Sequence, residues 1–176
     1  MRVLIATLTA GGGHLAAASA LDEAWRAMRP GDVVERVDLL KFFSPLHRKF
    51  HEDGYVKFVE RAPDLWGMVF KGTDNLKVTR RLNRLKRAIP SNSRMKFLRY
   101  LRHLKPDVVL CTHYLPLEML GQLRKKKKSD GAHPVVVSIV TDFEAHALWM
   151  DSAVDFYCVA AEETRVRLVA RGAAAD

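Results

Sequence analysis

Three adjacent glycines follow a short apolar run near the start of the chain, and this arrangement constrains the fold more than any other feature. Residues 3–8 are apolar apart from one threonine, as in a strand, and helical spacing continues after the glycines as far as Met28. Glycines leave backbone N–H groups uncovered and permit the positive φ angles of a tight turn. The following helix directs the positive end of its dipole at that turn. The pattern predicts a strand–turn–helix unit suited to an anionic or polar ligand, although a turn that serves only helix packing would look the same.

The rest of the chain repeats this unit. Further strands are predicted at 33–39, 108–112, 135–140 and 156–160, and helices at 117–127 and 162–170. Alternating strands and helices are the pattern of a parallel sheet with right-handed crossovers. The predicted fold class is therefore α/β, a doubly wound, Rossmann-like parallel sheet, in a single domain that covers residues 1–176.

Polar residues follow the predicted strands at one edge of this sheet. In such sheets, ligands bind beyond the carboxyl ends of the strands, near the switch in strand order. The residues that leave those ends are Gly11 to His14, His113 with Tyr114, 141–144 and 161–163. The sequence therefore predicts one site that combines imidazoles, carboxylates and the glycine turn.

Positive charge is concentrated in the middle of the chain. Residues 71–105 contain twelve Lys or Arg against one acid, Asp74, and this charge of +11 exceeds the +9 of the whole chain. A focused positive region predicts an anionic partner, either nucleic acid or acidic lipid. A solvated helix face without a partner would give the same pattern.

Aromatic residues accompany cations in the preceding stretch, 41–70. This mixture favours an interfacial membrane element, and it fits equally well a helical insertion whose aromatics all lie in the core. We predict a basic, aromatic helical insertion at about 41–105 that contacts an anionic membrane surface. Nucleic acid is not expected as a partner, because no nucleic-acid motif accompanies the cations. The residues predicted to contact the membrane are Phe42, Phe43, Trp66, Arg80, Arg81, Arg84 and Arg87.

A nucleotide cofactor is the main alternative. Gly11, Gly13 and Ala16 satisfy the spacing of a dinucleotide-binding fingerprint, so an NAD(P)-binding module from another enzyme class remains open. Asp32, Glu35 or Asp38 would then hold the ribose. A P-loop is excluded, because no Gly-Lys-Ser/Thr follows the glycines.

Other cofactors and targeting signals are not expected. The histidines have no compact ligand spacing, so no metal site is predicted. Cys111 and Cys158 lie in apolar runs and are interpreted as buried thiols. No signal peptide precedes the first strand, and no window reaches the length of a spanning helix. We expect a cytoplasmic protein, or one attached to a membrane from the cytoplasmic side.

Four motifs occur in an order that matches a known family. They are TAGGGHLAA at 9–17, PDLW at 63–66, PDVVLCTH at 106–113 and VTDFEAHALW at 140–149. In these motifs the chain resembles the N-terminal domain of monogalactosyldiacylglycerol synthases and processive diacylglycerol glucosyltransferases. The resemblance extends from Met1 to about Gly172, and the first and last motifs together are its most specific part.

This resemblance implies the N-terminal lobe of a GT-B-type glycosyltransferase, built of two facing Rossmann-like lobes. Such an enzyme transfers a hexose from a UDP-sugar to diacylglycerol with inversion and without a metal or other cofactor. The resemblance implies that the N-terminal lobe receives the acceptor at the membrane, while the C-terminal lobe holds most of the UDP-sugar. That second lobe has no counterpart in these residues, so this chain alone is expected to be inactive.

The resemblance also assigns residues. Inversion needs a base that takes the proton of the acceptor hydroxyl. His14 corresponds to the family's glycine-loop histidine and Asp142 to the acid of its Thr-Asp-Phe element, so both are predicted to be catalytic. Asp142 is slightly favoured as the base, with His14 positioning the acceptor or the diphosphate, although a helix-capping role for Asp142 and packing roles for His146 and Trp149 remain open. The predicted substrate-binding residues are Gly11, Gly12, Gly13, His113, Phe143, His146 and Trp149.

Overall fold

The computed structural model describes residues 1–9, 12–49, 90–126 and 133–175, together with Met68, Gly72 and Asp74; for 122–126 it describes the backbone. The strands are β1 (Arg2–Thr7), β2 (Val33–Asp38), β3 (Val108–Cys111), β4 (Val135–Ile139) and β5 (Phe156–Cys158). The helices are α1 (Gly12–Met28), α2 (Pro45–Lys49), α3 (Ser91–Leu104), α4 (Tyr114–Lys126) and α5 (Glu162–Ala170). Two 3-10 helices, Leu39–Phe42 and Ala147–Trp149, follow β2 and β4.

The described strands form one parallel sheet in the order β2-β1-β3-β4-β5. From β1 the chain moves outward to β2, and it then crosses back over β1 to reach β3. The switch in strand order therefore lies between β1 and β3, where their carboxyl ends diverge. The predicted fold class is confirmed, with strand ends one or two residues earlier than expected and α4 beginning at Tyr114.

Alternate residues of β1 face opposite layers, as the period of a strand requires. Val3 and Ile5 pack with Ala18 of α1, whereas Leu4 and Ala6 belong to the larger cluster that includes residues of α3 and α4. Helices thus cover both faces, which makes the sheet doubly wound. The last residue of α1, Met28, is 71% exposed.

The prediction of an insertion at about 41–105 is wrong for the residues of helix α3. This helix buries Phe97, Leu101 and Leu104 and serves as the crossover helix between β2 and β3. Its apolar side therefore packs on the sheet and does not rest on lipid, while the opposite side carries exposed cations. Residues 91–104 belong to the α/β layers and not to an insertion.

The prediction that Phe42 and Phe43 contact a membrane is also wrong. Phe42 and Phe43 are only 8% and 4% exposed. The Phe42 ring lies 5.5 Å from the Phe97 ring and 5.6 Å from the Tyr100 ring. Because both side chains fill the core beneath α3, neither is available to lipid. The other predicted contacts lie outside the described residues: Trp66, Arg80, Arg81, Arg84 and Arg87.

The two cysteines differ in environment. Cys111 is buried at the end of β3, and burial raises the pKa of its thiol well above the ordinary range. Cys158 was also expected to be buried, but it is exposed because β5 is the edge strand of the described sheet. No helix in the described part of the chain is long and apolar enough to cross a membrane.

Candidate functional site

Threonines at the carboxyl ends of β1 and β3 hold the start of α1 in place. The Thr112 hydroxyl donates to Oγ1 of Thr7 at 2.9 Å, and the Thr7 hydroxyl donates to the backbone carbonyl of His14 at 3.3 Å. Thr7 and Thr112 are 2% and 0% exposed. The first turn of α1 is thereby fixed over the switch in strand order.

His14 lies at the centre of this edge. Its Nδ1 is 2.7 Å from the backbone carbonyl of Thr112 and 2.9 Å from the hydroxyl of Thr141, which follows β4. Since a carbonyl oxygen only accepts, Nδ1 must carry a hydrogen, and in the neutral imidazole the lone pair then resides on Nε2. The Thr112 carbonyl at the end of β3 therefore sets the tautomer of His14 and leaves the lone pair on Nε2.

Aromatic rings form a wall beside His14. The His113 ring meets the His14 ring edge-on at 4.6 Å between centroids, and the Tyr114 ring lies 4.2 Å from that of His113. The Trp149 ring, which is fully buried, is 6.3 Å from His14 and 6.5 Å from His113. Nδ1 of His113 accepts from the backbone N–H of Leu115 at 3.0 Å, so this ring also supports the start of α4.

Asp142 lies at the same edge of the sheet, where it contacts Trp149. Its Oδ2 accepts a hydrogen bond from the indole Nε1 of Trp149 at 2.7 Å. Asp142 is half-buried and adjoins Thr141, which contacts His14. The sequence-predicted pair of His14 and Asp142 thus lies at one edge of the sheet, connected by Thr141 and Trp149.

His146, and not Asp142, caps the short helix that follows. It occupies the N-cap position of the 3-10 helix, where its Nδ1 accepts from the backbone N–H of Leu148 at 3.1 Å. The capping alternative for Asp142 is therefore wrong. His146 and Trp149 are 3% and 0% exposed, so both pack in the core behind the site as well as adjoining it.

The glycines have a different role from the one predicted. Gly12 and Gly13 begin α1 with ordinary helical φ angles, so at these two positions the expectation of positive φ is wrong. A Cβ added to either would meet no atom of the described residues within 4 Å. Packing among these residues therefore does not require glycine at the two positions. Gly11 lies outside the described residues.

Exposed apolar side chains adjoin both polar groups. Phe143, next to Asp142, is 66% exposed, and Leu15, next to His14, is 36% exposed. The backbone of Phe143 is held by the Thr164 hydroxyl, which donates to its carbonyl at 2.8 Å. Phe143 was predicted from the sequence, but Leu15 was not. Leu15 could have been identified from its place in the first turn of α1, next to His14.

Two other polar residues were missed: Thr112 and Asp74. Thr112 is the last residue of the strand predicted at 108–112, and that position is the signal which identifies it. Asp74 accepts hydrogen bonds from the backbone of Ala147 at 2.9 Å and from Arg171 at 2.8 Å. Its signal was its isolation as the one acid within a basic stretch.

The acids considered for a ribose are engaged elsewhere. Asp38 accepts from the backbone N–H of Leu40 at 2.8 Å and from the hydroxyl of Thr9. Glu35 accepts from the Tyr100 hydroxyl at 2.6 Å, and Asp32 lies at the opposite edge of the sheet. Within the described residues no group of three or more His, Cys, Asp or Glu side chains could hold a metal ion.

Comparisons with known proteins match most of the chain to one family. Residues 14–176 match the family described as Monogalactosyldiacylglycerol (MGDG) synthase. A processive diacylglycerol beta-glucosyltransferase of Bacillus cytotoxicus is 27% identical over 99% of this chain and 42% of its own length. An uncharacterized glycosyltransferase of Bacillus subtilis, YkoN, is 31% identical over 43% of this chain and 20% of its own length.

A solved structure has the same fold. The apo form of the lipopolysaccharide outer core galactosyltransferase WaaB matches 99% of this chain and 43% of its own length, with a TM-score of 0.56 and 16% identity. The expected fold, a doubly wound α/β lobe like the first half of a GT-B glycosyltransferase, is confirmed. The chain spans about 42% of the length of the diacylglycerol glucosyltransferases that it matches. The NAD(P)-binding alternative is not favoured.

Proposed function

This chain belongs to the monogalactosyldiacylglycerol synthase family, and we propose that it is the N-terminal, acceptor-binding domain of a glycosyltransferase. The reaction proposed is inverting transfer of a hexose from a UDP-sugar to diacylglycerol. Relatives named as processive diacylglycerol beta-glucosyltransferases support this acceptor. Because the chain spans less than half of their length, the proposal assigns most contacts to the UDP-sugar to a second lobe outside these residues.

His14 is the proposed base, and one observation carries that assignment. Its Nδ1 faces the Thr112 carbonyl at 2.7 Å, which places the basic lone pair on Nε2. Asp142, slightly favoured by the sequence, has its Oδ2 engaged by the Trp149 indole at 2.7 Å. The proposal therefore reverses that preference: His14 accepts the proton, and Asp142 orients the aromatic wall and binds the acceptor.

The proposed step moves one proton and exchanges one bond. The primary hydroxyl oxygen of diacylglycerol bonds to the anomeric carbon of the hexose, while the bond from that carbon to the UDP oxygen breaks. The hydroxyl proton passes to Nε2 of His14, and UDP leaves with the bonding electrons. Attack opposite the leaving group inverts the anomeric configuration, and a positioned base typically contributes about 10²–10⁴-fold to such a step.

The start of α1 suits the charge of the donor. The N-terminus of a long helix presents free N–H groups and the positive end of the helix dipole, and both favour phosphate. At Gly12 and Gly13 the described residues leave the space beside the backbone open. The proposed contact is between these N–H groups and the diphosphate of the UDP-sugar, next to the imidazole that receives the proton.

Apolar and cationic surfaces suit a membrane-bound acceptor. Leu15 and Phe143 place exposed apolar side chains next to His14 and Asp142, where the glycerol backbone and acyl chains would lie. In α2, Leu46 is 78% exposed and precedes His47, Arg48 and Lys49. Such mixtures are favoured at the headgroup level.

Helix α3 adds charge without apolar insertion. Its outward side carries exposed cations, and no acid occurs between Asp74 and Asp107 to neutralise them. Each Lys or Arg near an anionic surface contributes about 1 kcal/mol to binding. The exposed cations of α3 are Lys96, Arg99 and Arg102. We therefore assign the chain to the periphery of a membrane, on its cytoplasmic face.

The test of the base uses the complete protein that contains this chain. Hexose transfer from UDP-hexose to diacylglycerol is measured in mixed micelles for His14→Ala and His14→Gln. We expect kcat to fall by about 10²–10⁴-fold, with the melting temperature and the UDP affinity preserved. The matched control is His133→Ala, which removes an exposed histidine at the other edge of the sheet. Loss of less than about threefold on His14→Ala would overturn the assignment.

The test of the membrane surface uses vesicles. The chain should sediment with vesicles that contain phosphatidylglycerol and not with pure phosphatidylcholine, and sedimentation should weaken as salt rises. Replacing Lys96, Arg99 and Arg102 by Gln should reduce it, whereas replacing Arg165 and Arg167 on α5 should not. Equal binding to both kinds of vesicle would contradict the proposal.

A further inference from the structure

Asp74 joins three parts of the molecule that are far apart in sequence. Its Oδ1 accepts from the backbone N–H of Ala147 at 2.9 Å, and its Oδ2 accepts from Nη2 of Arg171 at 2.8 Å. The Asp74 carbonyl also accepts from Nη1 of Arg171 at 3.3 Å. These partners are 73 and 97 residues away along the chain. One carboxylate thus connects the stretch between α2 and α3 to the loop after β4 and to the end of α5.

The contact with Ala147 completes the start of the 3-10 helix Ala147–Trp149. The first N–H groups of a helix have no partner within it and need one from outside. The His146 side chain accepts from the N–H of Leu148 at 3.1 Å. Asp74 accepts from the N–H of Ala147, so the helix start is held from two sides, one local and one distant.

The charge of Asp74 strengthens this contact. Burial raises the pKa of the carboxyl, but hydrogen bonds from Arg171 and from the Ala147 N–H outweigh burial and lower it below its usual range. The group is therefore ionised at neutral pH, and charge-assisted hydrogen bonds are shorter and stronger than neutral ones. Nε2 of the buried His146 lies 3.9 Å from the same Oδ1.

The helix that Asp74 holds ends at the residue that orients Asp142. Trp149 is the last residue of this helix, and its Nε1 donates to Oδ2 of Asp142 at 2.7 Å. Its ring also lies 6.3 Å from that of His14. A shift at Ala147 would therefore move the indole and, with it, the carboxylate at the mouth of the site.

We propose that Asp74 is a positioning residue: it fixes the 3-10 helix so that Trp149 holds Asp142 in its working orientation next to His14. The catalytic consequence rests on the proposed function, whereas the geometric coupling from Asp74 to Trp149 does not. Misplacement of a reactive group by about 1 Å from a remote substitution costs about 10²-fold in rate. Asp74 touches no reacting group, and its effect passes through Ala147 and Trp149.

The coupling is tested by NMR on the full chain labelled with ¹⁵N. The chain has three tryptophans, and Trp149→Phe assigns the indole signal of Trp149. Asp74→Ala should move this signal toward the position that it takes in Asp142→Asn, where the acceptor is weakened. Asp74→Asn keeps an oxygen for Ala147 and loses the charge, so it should move the signal part of the way. Asp32→Asn is the matched control, since it should move only the indole signal of Trp25.

The catalytic consequence is tested on the complete protein. Asp74→Ala should lower kcat by about 10- to 100-fold and change the acceptor KM by less than about threefold, with Asp74→Asn between the two. An unshifted Trp149 signal in both variants would overturn the proposal, as would an unchanged kcat in a protein whose His14 variants are inactive. If His14 variants stay active while Asp74→Ala moves the indole signal, the proposed function fails and the coupling stands. If Asp74→Ala does not fold, Asp74→Asn decides the matter by the same two measurements.

Discussion

The same contact, a tryptophan indole donating to an aspartate, occurs at both edges of the sheet. At the amino-terminal edge, Nε1 of Trp25 donates to Asp32 at 3.0 Å. At the carboxyl-terminal edge, Nε1 of Trp149 donates to Asp142 at 2.7 Å. Both aspartates lie seven residues from their tryptophans, so the separation along the sequence does not distinguish the two pairs.

The surroundings of the two aspartates do distinguish them. Asp32 also accepts from the N-terminal ammonium of Met1 at 2.9 Å and lies 3.7 Å from Nε of Arg29. Those donors satisfy it and lower the pKa of its carboxyl. Asp142 instead adjoins in sequence Thr141, which contacts His14, and the exposed Phe143. Parallel strands open a crevice only at their carboxyl ends, so strand direction makes one pair structural and the other part of a site.

The largest expected effect separates the two pairs by activity. In the complete protein, Asp142→Asn should lower hexose transfer by about 100-fold, because it weakens the hydrogen bond that holds the Trp149 indole near the proposed base. Asp32→Asn should change it by less than about threefold at a temperature where both variants are folded. Steady-state kinetics, normalised to the folded fraction, provide the measurement. Equal losses in the two variants would remove the distinction between the edges.

A third carboxylate, that of Glu118, sharpens the comparison through stability. Burial, and then the nearby charge of Asp151, raise the pKa of Glu118 on α4 to about 7, although Arg94 opposes the shift. The carboxylate of Asp151 fills the space that a side chain at Gly121, one turn further along, would need.

The raised pKa of Glu118 makes the free energy of unfolding depend on pH. A carboxyl with a raised pKa stabilises the fold when protonated, and that contribution is lost as pH rises from about 4.5 through about 7. Glu118→Gln should therefore raise the free energy of unfolding at pH 8 by about 1–3 kcal/mol and change little at pH 4. Urea unfolding at the two pH values measures this. A variant that is destabilised equally at both would contradict it.

The smallest expected effect concerns Asp32 in acid. Its lowered pKa means that ionised Asp32 stabilises the fold above its ordinary pKa of 3.8, and that this contribution is lost as pH falls through the lower folded value. Asp32→Asn should therefore be less stable than the parent chain at pH 6 and approach it as the pH falls below 3.8. Thermal melts across this range give the comparison. A constant difference would mean that packing, and not charge, accounts for Asp32.

Patterns local in sequence predicted most of the fold. Largely apolar runs identified four of the five described strands, β1, β3, β4 and β5, because burial on both faces of a parallel sheet needs continuous apolar residues. The remaining strand, β2, was predicted although it contains Glu35, Arg36 and Asp38. The outward cations of α3 suggested a membrane helix. Its apolar side, residues such as Phe97 and Leu101, instead packs on the sheet, since amphipathicity alone does not say which surface covers the apolar stripe.

The sequence predicted which residues form the site, but not which hydrogen bonds connect them. His14, His113 and Asp142 follow strands, so their edge was evident. The hydrogen bonds that give them roles join residues such as Thr141 and Asp74 to partners 127 and 73 positions away. No periodicity encodes such pairings, and the preference for Asp142 as the base could not take account of the tautomer of His14.

The contacts of His14 join residues that are far apart along the chain, and this separation affects the order of folding. The two Nδ1 partners of His14 are 98 and 127 residues away, so neither contact can form until β3 and β4 have joined β1. Loops of that length close slowly compared with local structure. The tautomer should therefore be selected only after β4 has joined the sheet, and a ribosome-bound chain would carry the glycine–histidine turn without a defined tautomer until then.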